Sequence, residues 1–266
     1  NTWRRLPKSP MAARMSPASA WTGPELLVWG GYPVRFADDG AAYNPATNRW
    51  RSLPAGPIEP GLPSGAWTGD RFVVVTDDPG AAIYDPADNT WQALEPPPLD
   101  DGVLTVVAAG HRVFVIRHAI DAGQPRAVAE LVLADRSWRR LADGPPAADG
   151  APATVVAAGP LLVVGNAIFD TEREEWSTLD LSTCPFQPET SVATTDSLVL
   201  SPAAAVDLEA AACRAMPRVP NRPDGGARLQ PVSVWTGRDW IVWSGASGEA
   251  SGSSPRTSPE GTLRRR

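Results

Sequence analysis

One pattern recurs from end to end of this chain and leaves few folds open to it. Its clearest copy occupies 21–50: a turn at Trp21-Thr22-Gly23, an apolar run at 26–29, Gly30-Gly31, then Tyr43-Asn44-Pro45 ahead of Trp50. Related turns stand at Trp67-Thr68-Gly69, Ala108-Ala109-Gly110, Ala157-Ala158-Gly159, Ala193-Thr194-Thr195-Asp196 and Trp235-Thr236-Gly237. Apolar runs follow them at 72–75, 113–116, 161–164, 198–200 and 240–243. Short β-branched, aromatic and leucine runs bounded by Gly, Pro and Asn read as strands and turns. Their repetition makes each copy one unit of a larger assembly. The pattern predicts six units of four short strands.

The hairpin ahead of the tryptophan is a second landmark. It returns as Tyr84-Asp85-Pro86 before Trp91 and as Phe169-Asp170 before Trp176. In the third copy it is expected to shorten to Leu133-Ala134-Asp135 before Trp138. In the fifth, Val206-Asp207-Leu208-Glu209 keeps the spacing, and Cys213 stands where the tryptophan belongs. A tryptophan strand also stands alone at Trp3-Arg4-Arg5-Leu6-Pro7, while the sixth copy, from 230 onward, lacks one. The economical solution is an all-β, six-bladed β-propeller whose ring is closed by the N-terminal strand around Trp3, leaving fewer open strand edges. The expected propeller spans 1–248. A Ser/Pro/Arg-rich tail follows at 249–266, with at most one weak strand at Gly261-Thr262-Leu263.

The double glycine after an apolar strand, the Tyr-Asn/Asp-Pro turn and the Trp-x-x-Leu strand together resemble the Kelch repeat. The chain is similar to a bacterial Kelch-like β-propeller of the galactose-oxidase-like superfamily over 1–248. Only the first copy carries the double glycine; Asp77-Asp78 and Ser244-Gly245 stand there in the second and sixth. Many such proteins are exported, so the resemblance implies an extracellular or cell-envelope location. It does not extend to the oxidase activity. That copper site needs tyrosine, histidine and cysteine ligands. Of Tyr32, Tyr43 and Tyr84, two hold repeat positions here. No cofactor, metal site or catalytic residue is expected.

Composition narrows the function classes. Proline (29) and glycine (23) favour turns over long helices, and a hydrophobic fraction of 42% is too high for a disordered chain. No apolar stretch approaches the length of a membrane span. The net charge is -6 although the segment 251–266 is itself basic, so the remainder is more acidic still. An acidic body does not suit a nucleic-acid backbone. The chain opens at Asn1 without a signal segment, as expected of a mature or trimmed form.

The conspicuous side chains are mostly absorbed by the repeat. Trp3, Trp50, Trp91, Trp138 and Trp176 hold its defining position, others end the first and second strands, and only Trp240 lacks such a role, with surface packing expected for it. His111 and His118 lie in no triad-like setting. The acidic pairs Asp38-Asp39, Asp77-Asp78 and Asp100-Asp101 suit turns better than a calcium loop. Cys184 and Cys213 both belong to the fifth unit; a disulfide between them competes with two buried thiols. Ahead of the innermost strands stand Arg14, Ser16, Ser64, Asp101, Thr190 and Arg228. Of these, Arg14, Asp101 and Arg228 are the ligand-binding candidates of a central funnel, where Arg14 and Arg228 would clasp a carboxylate. The expected function is a monomeric, non-enzymatic scaffold that binds a protein or glycan partner through the connections 32–40, 117–129 and 218–229. The alternative is an enzyme acting on a carbohydrate or small acid in the funnel.

Overall fold

The computed structural model describes residues 6–32, 36–78, 80–118, 121, 123–146, 155–180, 184, 191–194, 197–201, 204–210, 212–216, 228–229, 232–235, 239–243, 246–247 and 261–265. Among them there is no helix. The chain divides into two units, Asn1–Pro152 and Ala153–Arg266.

The first unit holds three four-stranded antiparallel meanders. Sheet one is β1 (Ala18–Trp21), β2 (Leu26–Trp29), β3 (Gly40–Asn44) and β4 (Arg49–Ser52). Sheet two is β5 (Pro63–Trp67), β6 (Phe72–Thr76), β7 (Gly80–Asp85) and β8 (Thr90–Leu94). Sheet three is β9 (Leu104–Ala109), β10 (Arg112–Arg117), β11 (Ala127–Val132) and β12 (Ser137–Arg140). The first strands lie side by side, β1 against β5 and β5 against β9. Ser64 on β5 accepts the Val106 amide of β9 at 3.0 Å.

Sheet two shows why the second strands are unbroken apolar runs: it is buried on both faces. Phe72 and Val74 pack with Leu27, Trp29 and Ala42 of sheet one. Val73 and Val75, pointing the other way, pack with Val106, Val113, Val115 and Leu131 of sheet three. Each such side chain, removed from water, stabilises the fold by about 1.5–3 kcal/mol.

The second unit repeats the scheme. Sheet four is β13 (Val155–Ala158), β14 (Leu161–Val164), β15 (Ala167–Asp170) and β16 (Glu175–Thr178). Sheet five is β17 (Val192–Ala193), β18 (Leu198–Ser201), β19 (Ala204–Asp207) and β20 (Ala212–Ala215). Val156, Val163 and Ile168 of the one pack with Val199 and Val206 of the other. Beyond them, β21 (Arg228–Leu229) pairs with β24 (Ala246–Ser247), and β22 (Val232–Trp235) and β23 (Asp239–Trp243) form a sheet with β25 (Gly261–Arg265). The segment expected as a tail thus supplies a strand: Gly261, Thr262 and Leu263 face Trp243, Val242 and Ile241. Trp240 is buried, not a surface residue, and its indole Nε1 has no partner among the described residues. Trp3 lies outside the described residues.

The tryptophan hairpin keeps one register. Trp50 faces Tyr43, Trp91 faces Tyr84, Trp138 faces Leu131 and Trp176 faces Phe169. Cys213 faces Val206 in the same way. The third hairpin is therefore not shortened, as the sequence had suggested. Val132 stands where Asn44 or Asp85 begins the others, and Asp135 caps from inside the turn, accepting the Ser137 amide. The residue two before the tryptophan is left-handed in the four hairpins that end in one: Asn48 (φ 55), Asn89 (φ 55), Arg136 (φ 60) and Glu174 (φ 57). Asparagine tolerates that conformation better than arginine or glutamate does.

The tryptophans of sheets one to three also tie each sheet to what precedes it. The Trp91 indole donates to Pro54 O at 3.1 Å, just past β4, and the Trp138 indole to Glu95 O at 2.6 Å, just past β8. Trp50 donates to Pro7 O at 3.1 Å.

Candidate functional site

In sheets one to three, the first strand begins and the second ends at the same end of the sheet, and the three ends coincide. A Cβ on Gly30 would lie 3.1 Å from the Pro63 ring, and one on Gly65 3.0 Å from Ala18 Cβ. The connections expected to bind that follow β2 and β10, at 32–40 and 117–129, leave from this loop end, whereas of 218–229 only 228–229 are among the described residues.

On sheet one the double glycine builds it. Gly30 (φ 66) and Gly31 (φ 89) turn the chain back so that Tyr32 bridges Met15, amide to carbonyl in both directions, at 2.9 and 3.1 Å. A Cβ on Gly31 would stand 2.7 Å from Met15 O, so no larger residue fits that bend. Beneath it Arg14 grips Asp39 bidentately, at 2.7 and 3.0 Å, and also donates to Gly30 O and Ala12 O. The hydrogen bonds from Arg14, above all, hold the Asp39 carboxyl below the usual carboxylate range. The frame presents apolar groups to solvent: Met15 is 64% exposed, Tyr32 41% and Phe36 40%, with the two rings 5.4 Å apart.

On sheet two, where Asp77-Asp78 replaces the double glycine, Asp77 accepts the Leu62 amide at 2.6 Å and the Asp78 amide at 3.0 Å. Asp77 is occupied in shaping its own loop. On sheet three the loop end is lined inside by cations. Arg117 and Arg126 are buried, and their guanidinium groups donate to the Pro125 and Pro145 carbonyls. Arg117 Nε is buried without a partner among the described residues. His118 is buried against Thr105, Nε2 to Oγ1 at 2.7 Å. Burial, and then the Arg126 charge, push its pKa down to about 4. A neutral imidazole with so low a pKa is a poor general base near neutrality.

The residues singled out from sequence fall as follows. Arg14 already holds a carboxylate of its own chain. Asp101 is exposed in the turn before β9. Arg228 lies on β21, its side chain outside the described residues, as is Thr190 altogether. His111 is exposed at the β9–β10 turn. Cys184 and Cys213 are joined as a disulfide, with Cα atoms 5.9 Å apart. The connection expected at 117–129 is shorter, because Arg117 closes β10 and β11 opens at Ala127. Among the described residues, no three His, Cys, Asp or Glu side chains gather as a metal site would require, and no helix is long and apolar enough to cross a membrane.

Sequence reasoning missed the Met15, Tyr32 and Phe36 patch. Its signal was present, since Tyr32 directly follows the double glycine and Phe36 stands four residues further on in the same short connection. It also missed the burial of Arg117, His118 and Arg126, which the strand bounds alone do not reveal.

No family model matches the chain, and no curated protein matches it.

Proposed function

We propose that the chain is a Kelch-like, six-bladed propeller that binds a protein or glycan partner through the loop end of its sheets. The observation that carries this reading is the exposed Met15, Tyr32 and Phe36 patch on a frame fixed by Gly31 and the Arg14–Asp39 pair. Aromatic anchors on a rigid scaffold are what interfaces use. The polar groups beside it are already engaged: Arg14 by Asp39, Asp77 by the Leu62 amide, His118 by Thr105. That favours a binding surface over a reaction centre.

Ring closure draws support from Pro7. Trp50 donates to it as Trp91 does to Pro54 and Trp138 to Glu95, and each acceptor lies four residues past a tryptophan: Trp3, Trp50 and Trp91. Residues 3–6 then form the outer strand of a blade preceding sheet one. On this reading Trp3→Ala lowers the unfolding midpoint about as much as Trp50→Ala; an unchanged midpoint opposes closure. The disulfide supports an extracellular or cell-envelope location, because such bonds persist in oxidising compartments.

The binding claim is tested by replacing 32–39 with a Gly-Ser turn and screening glycan arrays and the proteins of the exported fraction against both forms. Partners held by the parent chain and lost by the variant, with folding intact by circular dichroism, are the expected result. Identical profiles would overturn the reading.

A further inference from the structure

The loop end also carries a charge pattern that bears on what its apolar patch can accept. Asp38, Asp78, Asp100, Asp101 and Asp121 are all exposed there, contributed by all three sheets of the first unit. Three of the arginines reaching the same end are withdrawn: the Arg14 side chain is 6% exposed and bound to Asp39, and Arg117 and Arg126 are buried; Arg140 is exposed but neutralised by its pair with Asp143. Three cations sit inside and the five aspartates outside. Lys8, and Arg35 in the sequence of the 32–39 connection, are the counterweights, and they leave the exposed groups acidic on balance.

We propose that this surface docks a cationic protein segment: an apolar or aromatic side chain seated on Met15, Tyr32 and Phe36, with lysines or arginines facing the aspartates. The inference rests on the loop-end binding reading and narrows its partner to one class. Apolar contact supplies a burial energy indifferent to charge sign, whereas exposed carboxylates of one sign steer encounter and reject like-charged partners. A neutral glycan would draw on the rings and gain nothing from the aspartates. A second copy of this acidic chain would bring like charges together. A cationic segment uses both features.

The test measures binding of three labelled peptides to the full chain: alternating lysine and leucine, alternating glutamate and leucine, and alternating lysine and glycine. Chitotetraose serves as a neutral sugar probe. The lysine–leucine peptide is expected to bind, the glutamate–leucine peptide not, and the lysine–glycine peptide more weakly. Tyr32→Ser with Phe36→Ser should weaken the lysine–leucine complex about tenfold or more, as loss of aromatic anchors does. Asp100→Asn with Asp101→Asn should weaken it a few-fold, mainly through the association rate, and raising salt from about 50 to about 300 mM should do likewise. Trp21→Ser, at the opposite end of sheet one, should change nothing and controls for folding and for unspecific apolar binding.

Equal binding of the two leucine peptides, or no loss on Asp100→Asn with Asp101→Asn, overturns the cationic partner. Chitotetraose bound through Tyr32 and Phe36 while the peptides fail also overturns it, but leaves loop-end binding standing. A dimer in sedimentation that dissociates on Tyr32→Ser with Phe36→Ser assigns the patch to self-association and overturns it as well. If removing Tyr32 and Phe36 alters no probe, both readings fall together.

Discussion

The fourth strands of sheets two and five occupy the same place in the repeat and are fastened by different chemistry. In sheet two, Trp91 packs between Trp29, Phe72 and Tyr84, at centroid distances of 5.6, 6.4 and 5.0 Å, and its indole reaches back to Pro54 O. In sheet five the same register holds Cys213, which reaches back to Cys184 beyond β16. Both ties join an outer strand to the connection that follows the preceding sheet. The repeat therefore fixes where the tie is made, and not how. A large ring gains its stability from burial and one hydrogen bond in the folded state. A disulfide acts in good part by restricting the unfolded chain, so a small side chain suffices in the tryptophan's place.

The largest expected effect comes from breaking the aromatic tie. Trp91→Ala should lower the unfolding free energy by about 3–5 kcal/mol, read from the denaturant midpoint, because it removes packing to three rings and leaves Pro54 O without its donor. A loss no greater than that of an exposed alanine substitution would break the comparison from the side of sheet two.

The covalent tie is expected to be worth about 3 kcal/mol for the loop it closes. Cys184→Ala with Cys213→Ala should lower the stability of the second unit by that amount and leave the first unit's transition in place. Cys184→Ala with Cys213→Trp is the sharper variant. Partial recovery would show that the register accepts either chemistry, and none would show that sheet five has repacked around its cysteine.

Within the first unit, pH separates the loop ends of sheets one and three. The folded-state pKa of His118 is depressed to about 4, so its contribution is fully present above the unfolded value of about 6.5. It is lost as pH falls through that window toward about 4, up to about 3 kcal/mol. His118→Gln should flatten the stability profile between those values. Asp39 also has a depressed pKa, but its contribution is present above the ordinary carboxylate range and disappears only on further acidification. Asp39→Asn should therefore leave the His118 window unchanged. A flat parent profile across that window would remove the contrast.

The smallest effect distinguishes the hairpins. Arg136 is exposed and left-handed where sheets one and two place Asn48 and Asn89, so Arg136→Gly should stabilise by about 1 kcal/mol, visible as a small rise in Tm. Asn48→Gly should do less, because asparagine tolerates the conformation and here accepts the Tyr43 hydroxyl at 2.8 Å.

Local periodicity was enough to read the strands, the turns and the shared place of Trp50, Trp91, Trp138, Trp176 and Cys213, because backbone pairing at fixed spacing is a property of neighbouring residues. Spacing misled where a polar residue had moved within its turn, as Asp135 did, and where an apolar strand began earlier than its flanking polar residues implied, as at Ala127. Tertiary structure decided what each side chain could still do. Arg14 looks like a free funnel cation in the sequence, but Asp39, brought beside it by the Gly30-Gly31 bend, already occupies it. His118 stands in no triad-like setting in the sequence, and only the packing of the third sheet buries it beside Arg126. Met15 and Tyr32, far apart in the chain, become one exposed surface only because the bend pairs them. Short-range patterning determines the repeat, whereas charge pairing, desolvation and exposure depend on groups distant in sequence and are settled only when the sheets pack.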